Sequence, residues 1–558
     1  MSVNPRWAYF RLQYPLVKRL LDNADFARDV QQRVLEERIR STEDSRFGRD
    51  HGFSSIRSLE DFRRQVPVSD FEYFRPYVDE VRAGRTDSLF GPKTQLKMFA
   101  LTSGTTEYPK HIPVTDQFLR SYKHGWKIWG LKTHADHMDL LSKRYVHLSS
   151  DWQQSRTPAG TWCGNISGLA AETRPAVVRR PFLVPPEVGK IGDWNNRQYT
   201  ALRLAVPSRR VGLIITANPL TLISLAKLAD DQKETLLRDL RDGTLTLPKP
   251  EVSMTDKRLS RRIRPLSKRR FRELEQIIER TGHLYPRDFW PELSVVAVWM
   301  GGPVGAFLPE LRSLYGDCAV RDHGLSASEG RMTIPMQDES SFGMLDYETS
   351  YYEFIPEDQI GSSHPSVLEA HELQEGHSYF ILMTNPGGLF RYNIRDVVRC
   401  VGFQGQAPLL EFLHKGAHCT NIAGEKLTEY QVVTAVKNAY RDLNRNVEPV
   451  MLLPVMGSPP HYLLLVEEPS RDIVQQLAER TDAHLCALNC EYDDRIRTRR
   501  LRPMFQRVIP AGSWKRLRDE KIATRGGSQE QYKHLFLGSS DEVIHQLGLA
   551  PSTERGIA

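Results

Sequence analysis

A length of 558 residues, 40% of them hydrophobic and 26% charged, is enough to bury a large core and is ordinary for a soluble globular protein. The 76 basic and 69 acidic residues leave a formal net charge of +7, which favours anionic small ligands about as much as nucleic acid. Six cysteines are too few for a disulfide framework. We therefore expect free thiols in a reducing cytoplasm, with neither a signal peptide nor a membrane span.

The first 45 residues predict helices, because Val30, Val34, Leu35 and Ile39 recur at helical spacing among charged residues. Ser58, followed closely by two acidic residues, is typical of a helix start. We assign no chemistry to this part of the chain.

A hydroxyl-rich loop follows the apolar run 98–101, which predicts a strand. Glycine lets the loop turn, and hydroxyls beside free N–H groups form a donor surface that suits phosphate oxygens. Lys110 adds a positive charge nearby. The Walker pattern is absent and an ordinary polar turn has the same composition, so phosphate binding is a hypothesis at this point. The candidate phosphate-binding residues are Ser103, Gly104, Thr105 and Thr106.

A helix is predicted from Thr115 through Trp129, and its N-terminal dipole would favour a nearby phosphate. The predicted strand 145–148 leads to a second loop rich in Gly, Ser and Thr, residues 160–168. This loop is equally typical of a ligand-pocket border and of a plain connection. Within it, Asn165 is our candidate for cofactor binding.

An α/β pattern follows, in which strands alternate with helices and glycine loops. The predicted strands are 211–216, 293–300 and 318–322, and a long helix is predicted from Asn218 through Leu240. Glycine loops follow the last two strands, at 301–303 and 323–330. In such proteins ligands bind at the carboxyl edge of the sheet, so we expect these loops to border the ligand.

Residues 257–270 contain eight basic residues and no acidic one. Contact with nucleic acid or with a membrane would fit this charge. No aromatic residues interleave, however, and Pro265 breaks any helix, so a solvated surface segment is the favoured interpretation.

Alternating apolar residues at 351–356 and 379–384 predict an antiparallel or barrel-like subdomain, which 389–399 continues. The composition becomes polar and flexible at 402–408, and we interpret this as a hinge. Beyond it, a hairpin and surrounding helices predict a small, mobile α/β domain. We therefore predict a large α/β N-terminal domain of sheets flanked by helices at 1–412 and a C-terminal cap at 413–558.

The motifs, taken in order, resemble those of the auxin-responsive acyl-acid amido synthetases, a family of acyl-adenylate-forming enzymes in the firefly-luciferase-like superfamily. The resemblance covers nearly the whole chain, and we interpret the protein as a bacterial-type member. One such motif alone is weak, but all of them in the same order are a strong signal. The motifs are 47–53, 66–70, the hydroxyl-rich loop with Lys110-His-Ile-Pro113, 324–330, 389–398, Gly424-Glu-Lys426 and Gln531-Tyr-Lys533.

The resemblance implies that ATP and Mg²⁺ are bound and that a small carboxylic acid is joined to an amino acid. Residues of the hydroxyl-rich loop would hold phosphates, and Glu329 would also be the magnesium ligand. Asp396 would accept the ribose hydroxyls, and Lys426 and Lys533 would be the catalytic lysines at the α-phosphate. The adenine and the α-phosphate would lie on Gly324, Leu325, Ser326, Ala327 and Ser328.

Three departures from the family pattern are His323 for tyrosine, Arg395 for glycine before Asp396, and His414-Lys415 where a hinge arginine is expected. They keep two alternatives open: an acyl-thioester ligase with the same first step, and a non-catalytic relative. A salt bridge with Arg391 or Arg395 is the alternative role for Asp396. We expect a cytoplasmic monomer that binds neither nucleic acid nor membrane.

Overall fold

The computed structural model describes residues 5–102, 110–248, 257–360, 362, 364–416, 419–420, 422–423, 425, 427–457, 459–525, 532–538, 543 and 547. The chain divides into two units. The first comprises Met1–Met300 and Leu311–Phe412, and the second comprises Gly301–Glu310 and Leu413–Ala558. The segment Gly301–Glu310 is thus assigned to the second unit, whereas the sequence analysis placed it in the N-terminal domain. Its Phe307 ring packs against that of Phe536 with centroids 6.1 Å apart, both within the second unit.

Helices dominate the beginning of the chain, as its apolar spacing predicts. Their starts follow capping chemistry: Ser58 accepts a hydrogen bond from the Asp61 N–H, and Thr115 accepts one from the Phe118 N–H. The helices up to residue 315 are α1 (Pro5–Gln13), α2 (Pro15–Asp22), α3 (Ala27–Thr42), α4 (Arg46–Asp50), α5 (Leu59–Gln65), α6 (Phe71–Arg82), α7 (Asp116–Asp136), α8 (Ile166–Glu172), α9 (Ala176–Arg179), α10 (Trp194–Ala205), α11 (Pro219–Asp231), α12 (Lys233–Asp242), α13 (Lys257–Ser260), α14 (Lys268–Thr281), α15 (Pro286–Phe289) and α16 (Leu308–Tyr315).

The long helix predicted from Asn218 through Leu240 is two helices, α11 and α12, which meet at Gln232. Asn218 caps the first of them by accepting the Leu220 N–H, 3.0 Å away. Gln232 leaves helical geometry with φ −106° and ψ 19°, so the chain changes direction there.

In the part of the chain that the structure describes, seventeen strands precede residue 416. They are β1 (Leu96–Thr102), β2 (Lys110–Thr115), β3 (Arg144–His147), β4 (Ser155–Arg156), β5 (Trp162–Gly164), β6 (Val211–Ile215), β7 (Val295–Val298), β8 (Ala319–Asp322), β9 (Ser326–Ala327), β10 (Gly330–Arg331), β11 (Thr333–Ile334), β12 (Phe342–Leu345), β13 (Tyr351–Pro356), β14 (Leu368–Glu369), β15 (Ser378–Thr384), β16 (Tyr392–Gln404) and β17 (Ala407–Lys415).

A four-stranded parallel sheet, in the order β3-β6-β7-β8, forms the α/β part of the first unit. Every residue of β6 and β7 is buried. A parallel sheet covered on both faces requires such continuous apolar strands, which is why the runs 211–216 and 293–300 could be predicted.

Besides the two-stranded β9–β10 sheet, the first unit contains two larger sheets. One has the order β2-β1-β5-β4, and the other has seven strands in the order β11-β12-β17-β16-β15-β13-β14. Pairing is antiparallel between β11 and β12, β12 and β17, β13 and β14, β13 and β15, and β15 and β16. This second sheet is the antiparallel subdomain expected from the alternating residues.

The second unit contains a three-stranded sheet in the order β20-β21-β22. The antiparallel pair β20–β21 is the predicted hairpin. The remaining elements are β18 (Cys419–Thr420), β19 (Leu427–Thr428), α17 (Glu429–Asp442), β20 (Val450–Val455), β21 (His461–Val466), α18 (Arg471–Leu488), α19 (Cys490–Arg497), β22 (Phe505–Val508) and α20 (Ser513–Arg525).

Five cysteines have described side chains, and all are free thiols. Among the described residues, none of the helices combines the length and the apolar character that a bilayer crossing requires. The basic stretch 257–270 is not wholly a solvated surface: Arg270 is 6% exposed and donates to the Phe289 carbonyl, 2.5 Å away.

Two helical glycines provide a test of close packing. A Cβ on Gly168 in α8 would lie 2.1 Å from the Ser150 carbonyl oxygen, whereas a Cβ on Gly130 in α7 would meet nothing within 4 Å. Gly168→Ala should therefore lower the thermal midpoint, because the backbone must move apart. Gly130→Ala should raise the free energy of unfolding by about 0.5–1 kcal/mol through helix propensity alone. Thermal melts of both variants check these two predictions. An equal shift of the two thermal midpoints in the same direction would contradict them.

Candidate functional site

The carboxyl ends of the parallel strands lie at one edge of the sheet, where α/β proteins bind ligands. His147 ends β3, Trp299 follows β7 and His323 follows β8. The carboxylate of Asp322 joins the last two loops, since it accepts the Met300 N–H at 2.6 Å and the Gly324 N–H at 2.5 Å. One side chain thus holds the end of the segment that follows β7 and the first glycine of the loop that follows β8.

His323 lies among tryptophans at this edge. Its ring centroid is 4.5 Å from that of Trp126 and 5.9 Å from that of Trp299, in edge-to-face geometry. Burial lowers the pKa of His323 well below its usual range, and the charge of Arg331 lowers it further. The imidazole is therefore neutral at physiological pH.

Two arginines give the edge its positive charge. Arg331 stacks over Trp126, with its guanidinium carbon 4.4 Å from the ring centroid, and donates to the His323 carbonyl at 2.7 Å. Arg174 donates to Nδ1 of His147 at 3.1 Å, which leaves the proton of that imidazole on Nε2. Burial lowers the pKa of each arginine to about 10, so both stay charged near neutral pH.

The motif 324–330 forms a tight hairpin beside this edge. Gly324 has φ +86°, and a Cβ there would lie 2.6 Å from the Thr333 carbonyl oxygen, so only glycine fits. Strand β9, which is Ser326–Ala327, pairs with β10, which leaves Ser328 and Glu329 as the turn. Residues 325–328 are partly exposed. They could therefore line a ligand.

Glu329 is 5% exposed and is tied to β16 and the preceding turn. Its Oε1 accepts the Tyr392 hydroxyl at 3.2 Å, and its carbonyl accepts the Asn385 amide at 2.6 Å. Burial raises the pKa of Tyr392 well above its usual value, and the carboxylates of Glu329, Asp70 and Asp396 raise it further. Two predicted ligand-binding carboxylates, Glu329 and Asp396, therefore act on the same buried phenol.

Asp396 is 3% exposed and lies within β16 rather than at a strand end as predicted. The two arginines named in the alternative role of Asp396 each pair with another carboxylate. Arg391 pairs with Glu353 at 2.8 Å, and Arg395 pairs with Asp70 at 2.8 Å.

Arg395 takes the place of a glycine in the family pattern, and its φ is +62°. A left-handed residue at this position is the conformation that glycine adopts without strain. The backbone before Asp396 thus has a conformation that a glycine would also adopt.

Strands β1 and β2 carry the two ends of the hydroxyl-rich loop, with Thr102 opposite Lys110 in an antiparallel pair. The hydroxyl of Ser328 donates to the Leu101 carbonyl at 3.3 Å, so the hairpin lies beside the end of β1. Four predicted phosphate-binding residues lie outside the described residues: Ser103, Gly104, Thr105 and Thr106.

Asn165 caps helix α8. Its side-chain oxygen accepts the Ser167 hydroxyl at 3.2 Å, and its own N–H donates to the Asp151 carbonyl at 2.9 Å. The geometry establishes this capping role of Asn165, and the cofactor contact of Asn165 stays a prediction.

The two predicted catalytic lysines belong to the second unit. Lys426 lies outside the described residues, whereas Lys533 is exposed.

A magnesium ion fits Glu329 chemically, because Mg²⁺ is commonly held by one or two carboxylates together with substrate phosphates and water. Within the described part of the chain, no group of three His, Cys, Asp or Glu side chains could form a metal site of its own. A magnesium ion at Glu329 would therefore depend on a bound phosphate.

Sequence reasoning missed the cluster of Trp126, Arg174 and Arg331 and the role of Tyr392. Tyr392 lay inside the quoted motif 389–398, and Arg331 directly follows Gly330, so proximity to a motif was the available signal. The pairing of Trp126 with Arg331 had no such signal, because the two lie 205 residues apart in α7 and β10.

The fold is that of an α/β protein in which the hairpin 324–330 lies beside the end of strand β1 and contacts Tyr392 of β16. The chain belongs to the GH3 family. Its residues 16–320 match the GH3 family N-terminal domain, 343–415 the central domain and 430–542 the C-terminal domain. The family predicted from the motifs is thereby confirmed.

Curated relatives cover almost the whole chain. The chain is 21% identical to indole-3-acetic acid-amido synthetase GH3.3 of Arabidopsis thaliana, over 93% of this chain and 90% of the relative. It is also 21% identical to jasmonoyl-L-amino acid synthetase JAR6 of Nicotiana attenuata, over 93% of each. Both relatives are plant proteins and give no support to the bacterial-type interpretation.

The fold is similar to that of a solved GH3.15 acyl acid amido synthetase, with a TM-score of 0.82, 19% identity and 96% of each chain covered. This similarity confirms the predicted fold class of a mixed α/β protein with a large N-terminal part.

Asp346 follows β12 and packs with Arg331 against helix α7 at Gly125: a Cβ there would lie 3.0 Å from Asp346 Oδ2 and 2.6 Å from Arg331 Cδ. Among the described residues, neither carboxylate oxygen of Asp346 meets hydrogen-bond geometry. Burial raises the pKa of Asp346 to about 7, although nearby His124 and Arg331 lower it.

The raised pKa gives a testable pH dependence. Between pH 4 and 7 the folded chain holds a proton on Asp346 that the unfolded chain has lost, so this contribution to stability falls as the pH rises. Asp346→Asn should therefore raise the free energy of unfolding at pH 8 by about 2–4 kcal/mol, at about 1.4 kcal/mol per pKa unit. Denaturant titrations at pH 8 and pH 4 check this. A gain of the same size at both pH values would contradict the assignment.

Proposed function

We propose that this chain is an ATP-dependent acyl-acid amido synthetase. The acid's carboxylate attacks the α-phosphorus of ATP and gives an acyl-adenylate and pyrophosphate. The amine of an amino acid then attacks the acyl carbon, forming an amide and releasing AMP. The observation that carries the proposal is the convergence of distant motifs: the hairpin 324–330 contacts both Leu101, where the hydroxyl-rich loop begins, and Tyr392, in the motif that contains Asp396.

In this proposal the nucleotide lies along the hairpin. Residues Gly324 to Ser328 line the adenine and the α-phosphate, and Asp396 accepts both ribose hydroxyls, as a carboxylate with two oxygens can. Ser103, Thr105 and Thr106 hold phosphates through hydroxyls and N–H groups. When bound at Glu329, Mg²⁺ would neutralise phosphate charge.

Adenylation brings two anions together, so catalysis requires their charge to be neutralised before they meet. The buried arginines Arg174 and Arg331 supply fixed positive charge at the sheet edge, and the water-poor surroundings strengthen it. They support a site for the carboxylate of the acid there. The lysines Lys426 and Lys533 would stabilise the charge that gathers at the α-phosphate.

The proposed roles of the residues follow the predicted domain boundaries. We propose that residues 1–412 bind ATP and the acid, and that residues 413–558 form the cap that supplies the two lysines. A monomeric state and a cytoplasmic location stay predictions, and the acid and the amino acid are identified only by class.

ATP–pyrophosphate exchange against a panel of free carboxylic acids tests the proposal directly. Acid-dependent exchange would support adenylation, and its absence with every acid would favour the non-catalytic alternative. Supplying the active acid with either amino acids or a thiol acceptor then separates an amido synthetase from an acyl-thioester ligase by the product formed.

Asp396→Asn tests the ribose assignment. The variant keeps the size of the side chain but loses an acceptor and its charge, so ATP affinity should fall by about 1–3 kcal/mol, while pyrophosphate affinity stays unchanged. Calorimetric titration of the folded variant with both ligands measures this. Equal losses for ATP and pyrophosphate would point to a structural role.

Lys533→Ala tests the proposed role of the lysine. A positioned ammonium stabilises the transition state more than the ground state, so the adenylation rate constant should fall by roughly two to three orders of magnitude. ATP affinity should change far less. Single-turnover measurements of both half-reactions check this, the second started from chemically made acyl-adenylate. An unaffected first half would remove Lys533 from the active site.

A further inference from the structure

The segment that carries Lys533 is fixed to the sheet of the second unit. The Leu452 N–H donates to the Phe536 carbonyl at 2.7 Å, and the Gly538 N–H donates to the Leu452 carbonyl at 3.0 Å. Leu537 accordingly forms a parallel bridge with Leu452 of β20. Residues 536–538 therefore extend the sheet at its β20 edge.

Side chains on both sides of the backbone reinforce this attachment. Phe536 is fully buried, and His534 is 4% exposed. Nε2 of His534 lies 2.9 Å from the Val450 carbonyl, and its ring packs edge-to-face on Trp514 with centroids 5.0 Å apart. Burial lowers the pKa of His534 to about 4, so it is neutral near pH 7. The residues that follow exposed Lys533 are thus anchored.

Glu429 is the side chain that joins this segment to helix α17. It is the first residue of the helix and is 3% exposed. Its Oε1 accepts the Phe536 N–H at 2.9 Å. Burial raises the pKa of Glu429 to about 7, whereas the backbone N–H groups of Phe536 and Leu537 and the charges of His414 and Lys533 lower it.

A buried carboxylate requires donors and a nearby positive charge, and these are what the described residues provide. Its two backbone donors, Phe536 and Leu537, come from the segment of Lys533, three and four residues beyond that lysine. The other candidate lysine, Lys426, precedes Glu429 by three residues. The Glu429 carboxylate thus lies close in sequence to Lys426 and accepts hydrogen bonds from the segment that carries Lys533.

We propose that Glu429 is a positioning residue for Lys533: it fixes the segment that carries this lysine by accepting the Phe536 N–H. The inference rests on the proposed adenylation and on the role proposed there for Lys533. Nothing in the reaction requires Glu429 to touch the substrate.

Glu467 provides a matched control. It too is a glutamate of the second unit that accepts backbone N–H groups, those of Gly512 at 3.1 Å and Trp514 at 2.5 Å. Its partners lie at the beginning of helix α20; the Trp514 ring contacts His534, but the bonds to Glu467 do not involve Phe536. Glu467→Gln therefore disturbs the same kind of bond without releasing Phe536.

The first experiment measures amide hydrogen exchange of residues 534–538 in the full-length protein. Glu429→Met removes the acceptor, and exchange at Phe536 should accelerate about tenfold; Glu429→Gln keeps one acceptor oxygen and should change it less. Glu467→Gln should leave it unchanged. Unchanged protection in Glu429→Met would overturn the proposal, and this measurement does not depend on any activity.

The second experiment is a double-mutant cycle on the adenylation half-reaction. Glu429→Met alone should slow adenylation at least tenfold, with Glu429→Gln partly rescuing the rate. In the Lys533→Ala background the Glu429 substitutions should have little further effect, because the residue acts through that lysine. Losses that add fully would show a general structural role and overturn the inference. If the wild-type chain exchanges pyrophosphate with no acid, the proposed function fails, and hydrogen exchange alone then decides whether Glu429 fixes the segment.

Discussion

The hydrogen bond between the Tyr392 hydroxyl and Glu329 is the interaction on which the candidate site depends. A carboxylate that is almost fully buried is stable only if donors surround it, and here the donor is a phenol on β16. The bond therefore fixes the turn of the hairpin 324–330 against the strand that carries Asp396. Asp322 fixes the other end of the hairpin through the Gly324 N–H. Residues proposed to contact the nucleotide are in this way held from both ends by buried carboxylates.

Much of the fold could be predicted because its signals are local. Continuous apolar runs indicated the parallel strands, and capping residues such as Ser58 and Thr115 indicated helix starts. The break at Gln232 could not be predicted, since neither glycine nor proline marks it. The same holds for Phe307, because a local pattern does not show which core an aromatic ring will join.

The candidate site shows a similar limit. Its acidic residues lay in motifs and could be named, but the cationic and aromatic cluster at the sheet edge could not. Trp126 and Arg331 meet only because α7 packs across the end of β8 and β10, and Gly125 leaves the room for it. Tertiary packing of this kind has no period in the sequence. Arg395 differs from this cluster, because the motif named its position in advance and the structure shows a left-handed backbone there, which is the conformation that favours glycine.

The histidines at the sheet edge have a consequence for the potential that an anionic ligand meets. Burial keeps His147 and His323 uncharged, so neither contributes a positive charge on mild acidification. One group there whose charge changes near neutral pH is Asp346, which loses its negative charge on acidification. Acidification thus makes this edge more attractive to anions, as a histidine switch would. This response arises from protonation of the buried Asp346 carboxylate, and it would survive replacement of His147 or His323.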